Sequence, residues 1–279
     1  MSLARITLLS ALAMTAFAAN SLLCRLALKS TRINPAAFTS IRILSGALML
    51  WLIVSLRRGR TGLKGNWPSA AALFAYASAF SFAYVKLPAA VGTLILFGSV
   101  QATMIGYGFL TGEKIRGLQV AGLCLALGGL VVMVFPGLST PSPPSALLMM
   151  AAGTAWGIYS LRGRGSSDPT ADTAGNFVRA AAFAALMGVA MVPNHSLDSE
   201  GIWYAVASGA VASGIGYAVW YSVLRGLTAT NAATIQLSVP VIAAAGALIV
   251  LGEAITVQLI AGPIAILGGV FVVISSRKS

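Results

Sequence analysis

The sequence predicts an all-α polytopic membrane protein, with ten transmembrane helices arranged as a five-plus-five inverted repeat. Three observations carry that reading. First, 58% of the 279 residues are hydrophobic and only 9% are charged, against about 25% charged in soluble domains. With a mean hydropathy of +0.89, the chain has too little polar surface to wrap a water-soluble core. Second, windows of about 19 residues give one uncharged apolar run after another, each near the roughly 20 residues that cross hydrocarbon as a helix. Third, the second half repeats the first. The stretch LTGEKIRGLQVAGL at Leu110 returns as VLGEAITVQLIAGP at Val250, 140 positions later. Over 110–133 and 250–273 nine positions are identical, among them Gly112/Gly252, Glu113/Glu253, Ala121/Ala261, Gly122/Gly262 and Gly128-Gly129/Gly268-Gly269.

The apolar runs place helices at about 5–24, 36–56, 66–85, 89–111, 115–135, 144–161, 175–192, 201–224, 228–251 and 256–275. Runs of this length, without alternation, argue against a β-barrel, and no connection is long enough for a soluble domain. The offset lays helices one to five over helices six to ten, giving repeats at 1–138 and 139–279. Five is odd, so the copies cross the membrane in opposite directions and are related by a pseudo-twofold axis in its plane. Inverted repeats of this kind build transporters that alternate access around a midplane site.

A net charge of +12 would suggest nucleic acid in a soluble protein, so the placement of the 18 Lys and Arg decides its meaning. With a cytoplasmic N-terminus, the inside segments hold Arg5, Arg57, Arg58, Arg60, Lys64, Lys114, Arg116, Arg162, Arg164, Arg225, Arg277 and Lys278, twelve in all. The outside loops hold four, Arg25, Lys29, Arg32 and Lys86, and Arg42 and Arg179 fall within spans. This split fits ten crossings with both termini inside and explains the basicity without nucleic acid. The apolar start ending in AFAANS is read as a retained first helix rather than a cleaved signal. Cys24 and Cys124 lack metal or redox spacing and are read as packing residues; Asn194-His195-Ser196 is a chance sequon. No cofactor is expected.

GE follows the fourth and ninth helices at Glu113 and Glu253, Arg42 and Arg179 stand early in the second and seventh, and AWGIYS lies in the sixth. In that order, over essentially the whole chain, these motifs resemble the drug/metabolite transporter superfamily, and within it the bacterial EamA-type exporters. The aromatic tone is most similar to the exporters of aromatic and other neutral amino acids. The resemblance implies a bacterial inner-membrane exporter with a central cavity lined by helices 1, 3, 4, 6, 8 and 9, helices 5 and 10 being peripheral. One departure stands out. The ninth helix has Ser238-Val239-Pro240, matching the family's proline, but the fourth reads Gly98-Ser99-Val100, so any bend there must come from Gly98 or Gly92.

Helical spacing gathers candidate cargo contacts on shared faces: Phe17, Asn20 and Ser21; Tyr76, Phe80 and Tyr84; Trp156, Tyr159 and Ser160; Tyr217, Trp220 and Tyr221. Such stripes also arise from ordinary packing, so the cavity reading rests on their falling on the pathway helices. Amides deep in a span must find a partner and face protein or water. Gln236, Gln101 and Asn20 are therefore either cargo contacts or bonds to a neighbouring helix. Arg42 and Arg179, near helix ends, either snorkel to the headgroups or pair at a gate. Gly122, Gly128 and Gly129 suit close helix approach. Glu113 and Glu253 suit the positive ends of the fifth and tenth helices.

All six carboxylates, Glu113, Asp168, Asp172, Asp198, Glu200 and Glu253, fall in loops or at helix ends. A cation/proton antiporter commonly keeps one at mid-membrane, where a charge costs about 3 kcal/mol or more. The single histidine, His195, lies in an outside loop. A small neutral or zwitterionic cargo such as an amino acid fits better, carried by a chain for which a monomer suffices. The alternatives are a multidrug or other metabolite carrier, a channel, or an intramembrane enzyme. The last lacks a buried Ser/His or paired Asp, and there is no phosphate-binding GxxxxGK[ST] loop.

Overall fold

The computed structural model describes residues 3–56, 62–87, 89–113, 117–134, 142–191, 198–251 and 258–275. Among them run ten helices. These are α1 (Leu3–Ser30), α2 (Pro35–Ser55), α3 (Trp67–Tyr84), α4 (Ala89–Leu110), α5 (Gly117–Val134), α6 (Pro143–Gly163) and α7 (Pro169–Ala190). The eighth, α8, comprises Ser199–Val206, the π-helical Ala207–Ile215 and Gly216–Leu224; α9 comprises Ala229–Gln236 and Ser238–Leu251; α10 is Gln258–Ser275. Glu253, His195 and the basic residues Arg57, Arg58, Arg60, Lys114, Arg116, Arg277 and Lys278 lie outside the described residues.

Helix starts follow local chemistry. Asn34, Asn66, Asp168, Asp198 and Thr228 each accept a backbone N–H of the turn that follows, at 2.7 to 3.2 Å, satisfying an otherwise orphaned donor. Proline stands in the first turn of α2, α3, α6 and α7, where no N–H is needed. This corrects the expected start of α7 near residue 175: Asp168 and Pro169 begin it six residues earlier, through the polar turn Thr170–Thr173 that hydropathy alone assigned to a loop. Likewise α1 continues through Arg25 to Ser30.

The surface is apolar and the interior carries the amides. Leu48 (65% exposed), Leu186, Val189, Trp203 and Phe271 (70%) point outward, whereas Asn20, Arg42, Gln101, Asn231 and Gln236 are buried. Water would penalise that distribution and lipid favours it. Four helices, 4–30, 35–55, 169–190 and 199–224, are long and apolar enough to cross a membrane taken singly. Cys24 is buried as expected, but Cys124 is exposed on the outer face of α5 rather than packed.

The inversion of the repeats is visible where α5 meets α10. A Cβ on Gly122 would meet the carbonyl oxygen of Gly269 at 2.8 Å, and one on Gly129 that of Gly262 at 2.7 Å. In the repeat Gly122 corresponds to Gly262 and Gly129 to Gly269, so each early residue faces the late residue of its counterpart. The equivalent helices are therefore antiparallel. Glycine lets the backbones touch, the means by which helices associate where lipid offers no hydrophobic drive. Gly128, expected in the same interface, instead has open space where a side chain would stand. The same symmetry governs the centre: α3 packs on α6 as α1 packs on α8, α4 on α6 as α9 on α1, and α2 on α8 as α7 on α3.

Candidate cargo site

At the centre, α1, α3, α4, α6, α8 and α9 enclose a small cavity lined by Phe17, Ser21, Tyr76, Leu96, Phe97, Trp156, Tyr217, Gln236 and Val239. Its volume is about 20 Å³, room for roughly one water molecule. The cavity implied by the resemblance thus exists at the implied helices but is closed around its rings, which must part before a metabolite enters.

The rings form one cluster. Phe17 stands edge-on to Trp156 at 5.2 Å and to Tyr217 at 5.5 Å, and Trp156 contacts Tyr76 at 5.0 Å and Tyr217 at 4.9 Å between centroids. Trp156 donates its Nε1–H to Gln236 Oε1 at 2.5 Å. The Gln236 amide nitrogen donates to the Ala232 carbonyl at 3.2 Å, so this fully buried glutamine presents a satisfied dipole at the cavity wall. Its position follows from Pro240. Lacking an N–H, Pro240 leaves the Gln236 carbonyl without its helical partner, and α9 breaks at Leu237, between Gln236 and Ser238. The corresponding α4, without proline, runs unbroken from Ala89 to Leu110, so the two halves differ at the site as the sequence expects.

The remaining expected contacts lie around that cavity rather than in it. Asn20 receives Ser208 Oγ–H on its Oδ1 at 2.5 Å and donates to the Tyr76 hydroxyl at 3.4 Å; it supports the wall from behind. Gln101 donates to the Ala233 carbonyl at 2.7 Å, binding α4 to α9. Phe80 stacks between Tyr76 and Tyr84 at 5.5 and 4.7 Å, and Trp220 buttresses Phe17 at 6.0 Å. Ser160 is fully buried in α6. Tyr159 and Tyr221, edge-on at 5.4 Å, line a second cavity of about 30 Å³ with Asn66, Ser69, Arg162, Asp172, Thr173 and Asn176. That polar space at the α2–α3, α6–α7 end was not foreseen, although Asp172 and Asn176 one helical turn apart could have signalled it.

Arg179 holds the chain before α3, donating to the Lys64 carbonyl at 2.6 Å. Around it, Asn176 Oδ1 accepts the Asn66 N–H at 2.9 Å and Arg162 donates to Ser69 Oγ at 2.9 Å. Arg42 overturns the snorkelling reading. It is 2% exposed and points into the bundle: Nε donates to Ser213 Oγ at 3.1 Å, and Nη2 to the hydroxyls of Tyr217 at 3.2 Å and Tyr76 at 3.4 Å. The wide π-helical stretch of α8 carries Ser213, one turn before Tyr217, and both stand against Arg42 of α2. Glu113 also departs from expectation. Instead of capping α5 it caps α9, accepting the N–H of Ala229 at 2.8 Å, the N–H and hydroxyl of Thr230 at 3.2 and 3.0 Å, and Arg164 at 3.5 Å. Partial burial pushes its carboxyl up, but these donors outweigh that and hold it below the ordinary glutamate value.

The sequence profile of the EamA-like transporter family matches residues 4–135 and again 143–275. The chain belongs to the EamA-like transporter family. An uncharacterized protein of Pseudomonas aeruginosa is 52% identical over 274 residues, covering 98% of this chain and 96% of its own. A "probable amino-acid metabolite efflux pump" of Salmonella typhimurium is 25% identical over 213 residues, 70% of this chain and 71% of that one. One solved crystal structure superposes with a TM-score of 0.83 at 21% identity, with full coverage of both chains, which shows a shared fold. This EamA-like transporter is thus an integral membrane protein built from two family repeats.

Proposed function

We propose that the protein is an inner-membrane secondary transporter that exports small neutral or zwitterionic metabolites, foremost amino acids with aromatic side chains. It alternates access around the central cavity, with repeats at 1–138 and 139–279, both termini cytoplasmic and a monomer as the working unit. The observation that carries this reading is the ring cluster of Phe17, Tyr76, Trp156 and Tyr217 gathered around the Gln236 amide at the meeting of six helices. Rings offer stacking and the amide offers a polar anchor, the mixture of an apolar pocket with few convergent polar groups that binds small molecules. The name of the Salmonella relative supports the cargo class.

Alternating access needs one end closed while the other opens, and the contacts at the α2–α3, α4–α5 and α6–α7 connections all join one repeat to the other. Glu113 reaches Ala229 and Thr230, Arg162 reaches Ser69, and Asn176 reaches Asn66. Releasing them together opens that end. Purified protein in liposomes preloaded with phenylalanine is expected to take up labelled phenylalanine faster than empty liposomes, with saturation. A linear, non-saturating flux without counterflow would make the protein a channel and sink the proposal.

A further inference from the structure

The geometry points to a carboxylate-binding subsite at the central cavity, formed by the hydroxyls of Tyr76 and Tyr217 with the Arg42 guanidinium behind them. The inference deepens the transport reading by naming the group on the cargo that the site holds. Arg42 is fully enclosed, yet its hydrogen-bond partners are three hydroxyls, and no carboxylate among the described residues pairs with it. Glu113, a carboxylate that does pair with an arginine, is held elsewhere by Arg164. A buried guanidinium without a counter-ion is costly, and it draws an anion to whatever space adjoins it.

The hydrogen-bond inventory says what that anion meets. The Tyr76 oxygen receives hydrogen bonds from Arg42 Nη2 and Asn20 Nδ2, both at 3.4 Å, and the Tyr217 oxygen receives one from Arg42 Nη2 at 3.2 Å. With their oxygens acting as acceptors, each phenol retains its own proton to donate. Even if one donates to the other, a hydroxyl proton is left over, and Arg42 Nη1 has no hydrogen-bond partner, the guanidinium otherwise resting over the Tyr76 and Phe80 rings at 5.3 and 5.8 Å. Donors therefore converge without an acceptor. Both tyrosines line the cavity, so an acceptor arriving there from the cargo completes the set. A hydroxyl donor beside one positive charge suits a planar monocarboxylate. Phe17, Phe97 and Trp156 on the same cavity suit its apolar body. The amide of Gln236 is already engaged by Trp156, so it does not compete for the anion.

The test is a counterflow series on the wild-type protein in liposomes, using four probes that share one ring: phenylalanine, 3-phenylpropionate, phenylalanine amide and phenethylamine. The two carboxylates are expected to compete with labelled phenylalanine or 3-phenylpropionate about 10- to 100-fold better than the amide and the amine, the worth of one or two charge-assisted hydrogen bonds. Equal competition by acid and amide overturns the subsite while leaving amino acid transport standing. Transport of 3-phenylpropionate without phenylalanine keeps the subsite and discards the amino acid reading. Transport of none of the four discards both. Arg42→Gln and Tyr217→Phe, checked for a monodisperse elution profile, are expected to bring the acid-to-amide ratio toward one. An unchanged ratio in both folded variants overturns the assignment, and the wild-type series decides by itself if neither folds.

Discussion

Trp156 and Gln236 test the candidate site most directly, because each has one partner in the other across the cavity wall. Trp156→Phe preserves the ring but leaves the Gln236 oxygen buried without its donor, at a cost of about 1–3 kcal/mol. We expect Trp156→Ala and Gln236→Ala each to lower phenylalanine counterflow by about tenfold, the equivalent of one hydrogen bond, with membrane insertion intact. Wild-type rates in both would remove these residues from the site. Gln236 was legible in the sequence because an amide eight residues into a span must be satisfied somewhere. Arg42 was not. Depth along one helix suggested a short reach to the headgroups, but the direction of the side chain depends on what α3 and α8 place beside it. Ser213 and Tyr217 lie more than 170 positions away in the chain.

Helix pairing explains which glycines matter. Gly129→Val forces a branched side chain against the Gly262 carbonyl and is expected to destabilise by about 1–3 kcal/mol, as overpacking does. Gly128→Val, with open space before it, should melt within a degree or so of wild type, since exposed substitutions stay near ±0.5 kcal/mol. Thermal melts in detergent compare them, and equal losses would refute the α5/α10 interface. Glu113 belongs to the same level, for it fastens the start of α9. Removing its charge with Glu113→Gln should lower the melting temperature by about 2–4 °C, the shift for ~1 kcal/mol in a chain of this size. Its carboxyl is held below the ordinary value in the folded protein, so its contribution is complete at neutral pH and is lost as pH falls through the folded value. The gap between wild type and Glu113→Gln should therefore narrow as pH falls below the ordinary glutamate value and close below the folded one. A gap that persists in acid would mean that the charge is not what fastens α9. Sequence reasoning attached Glu113 to its own neighbour α5, since nothing local reveals that a loop lies over a helix that starts 116 residues later.

Topology ties the ten helices to a direction. Cysteines placed at 60 and 165 are expected to react with an impermeant reagent only from the cytoplasm, and at 140 and 197 only from outside; labelling of 60 and 140 from the same face would overturn it. The sequence by itself determined the membrane class, the ten crossings, the duplication and its inverted sense, because hydropathy, the placement of basic residues and an odd helix count are properties of the chain alone. The family resemblance implied the helices around the centre, and helical spacing named most of their rings, since an i, i+4 stripe is fixed by helical geometry. Only the tertiary structure decided that the centre is closed to about 20 Å³, that Arg42 turns inward to two tyrosines, and that Glu113 serves the other repeat. Those outcomes depend on which residues of one repeat come to lie against the other, and periodicity within a single helix carries no information about its neighbours.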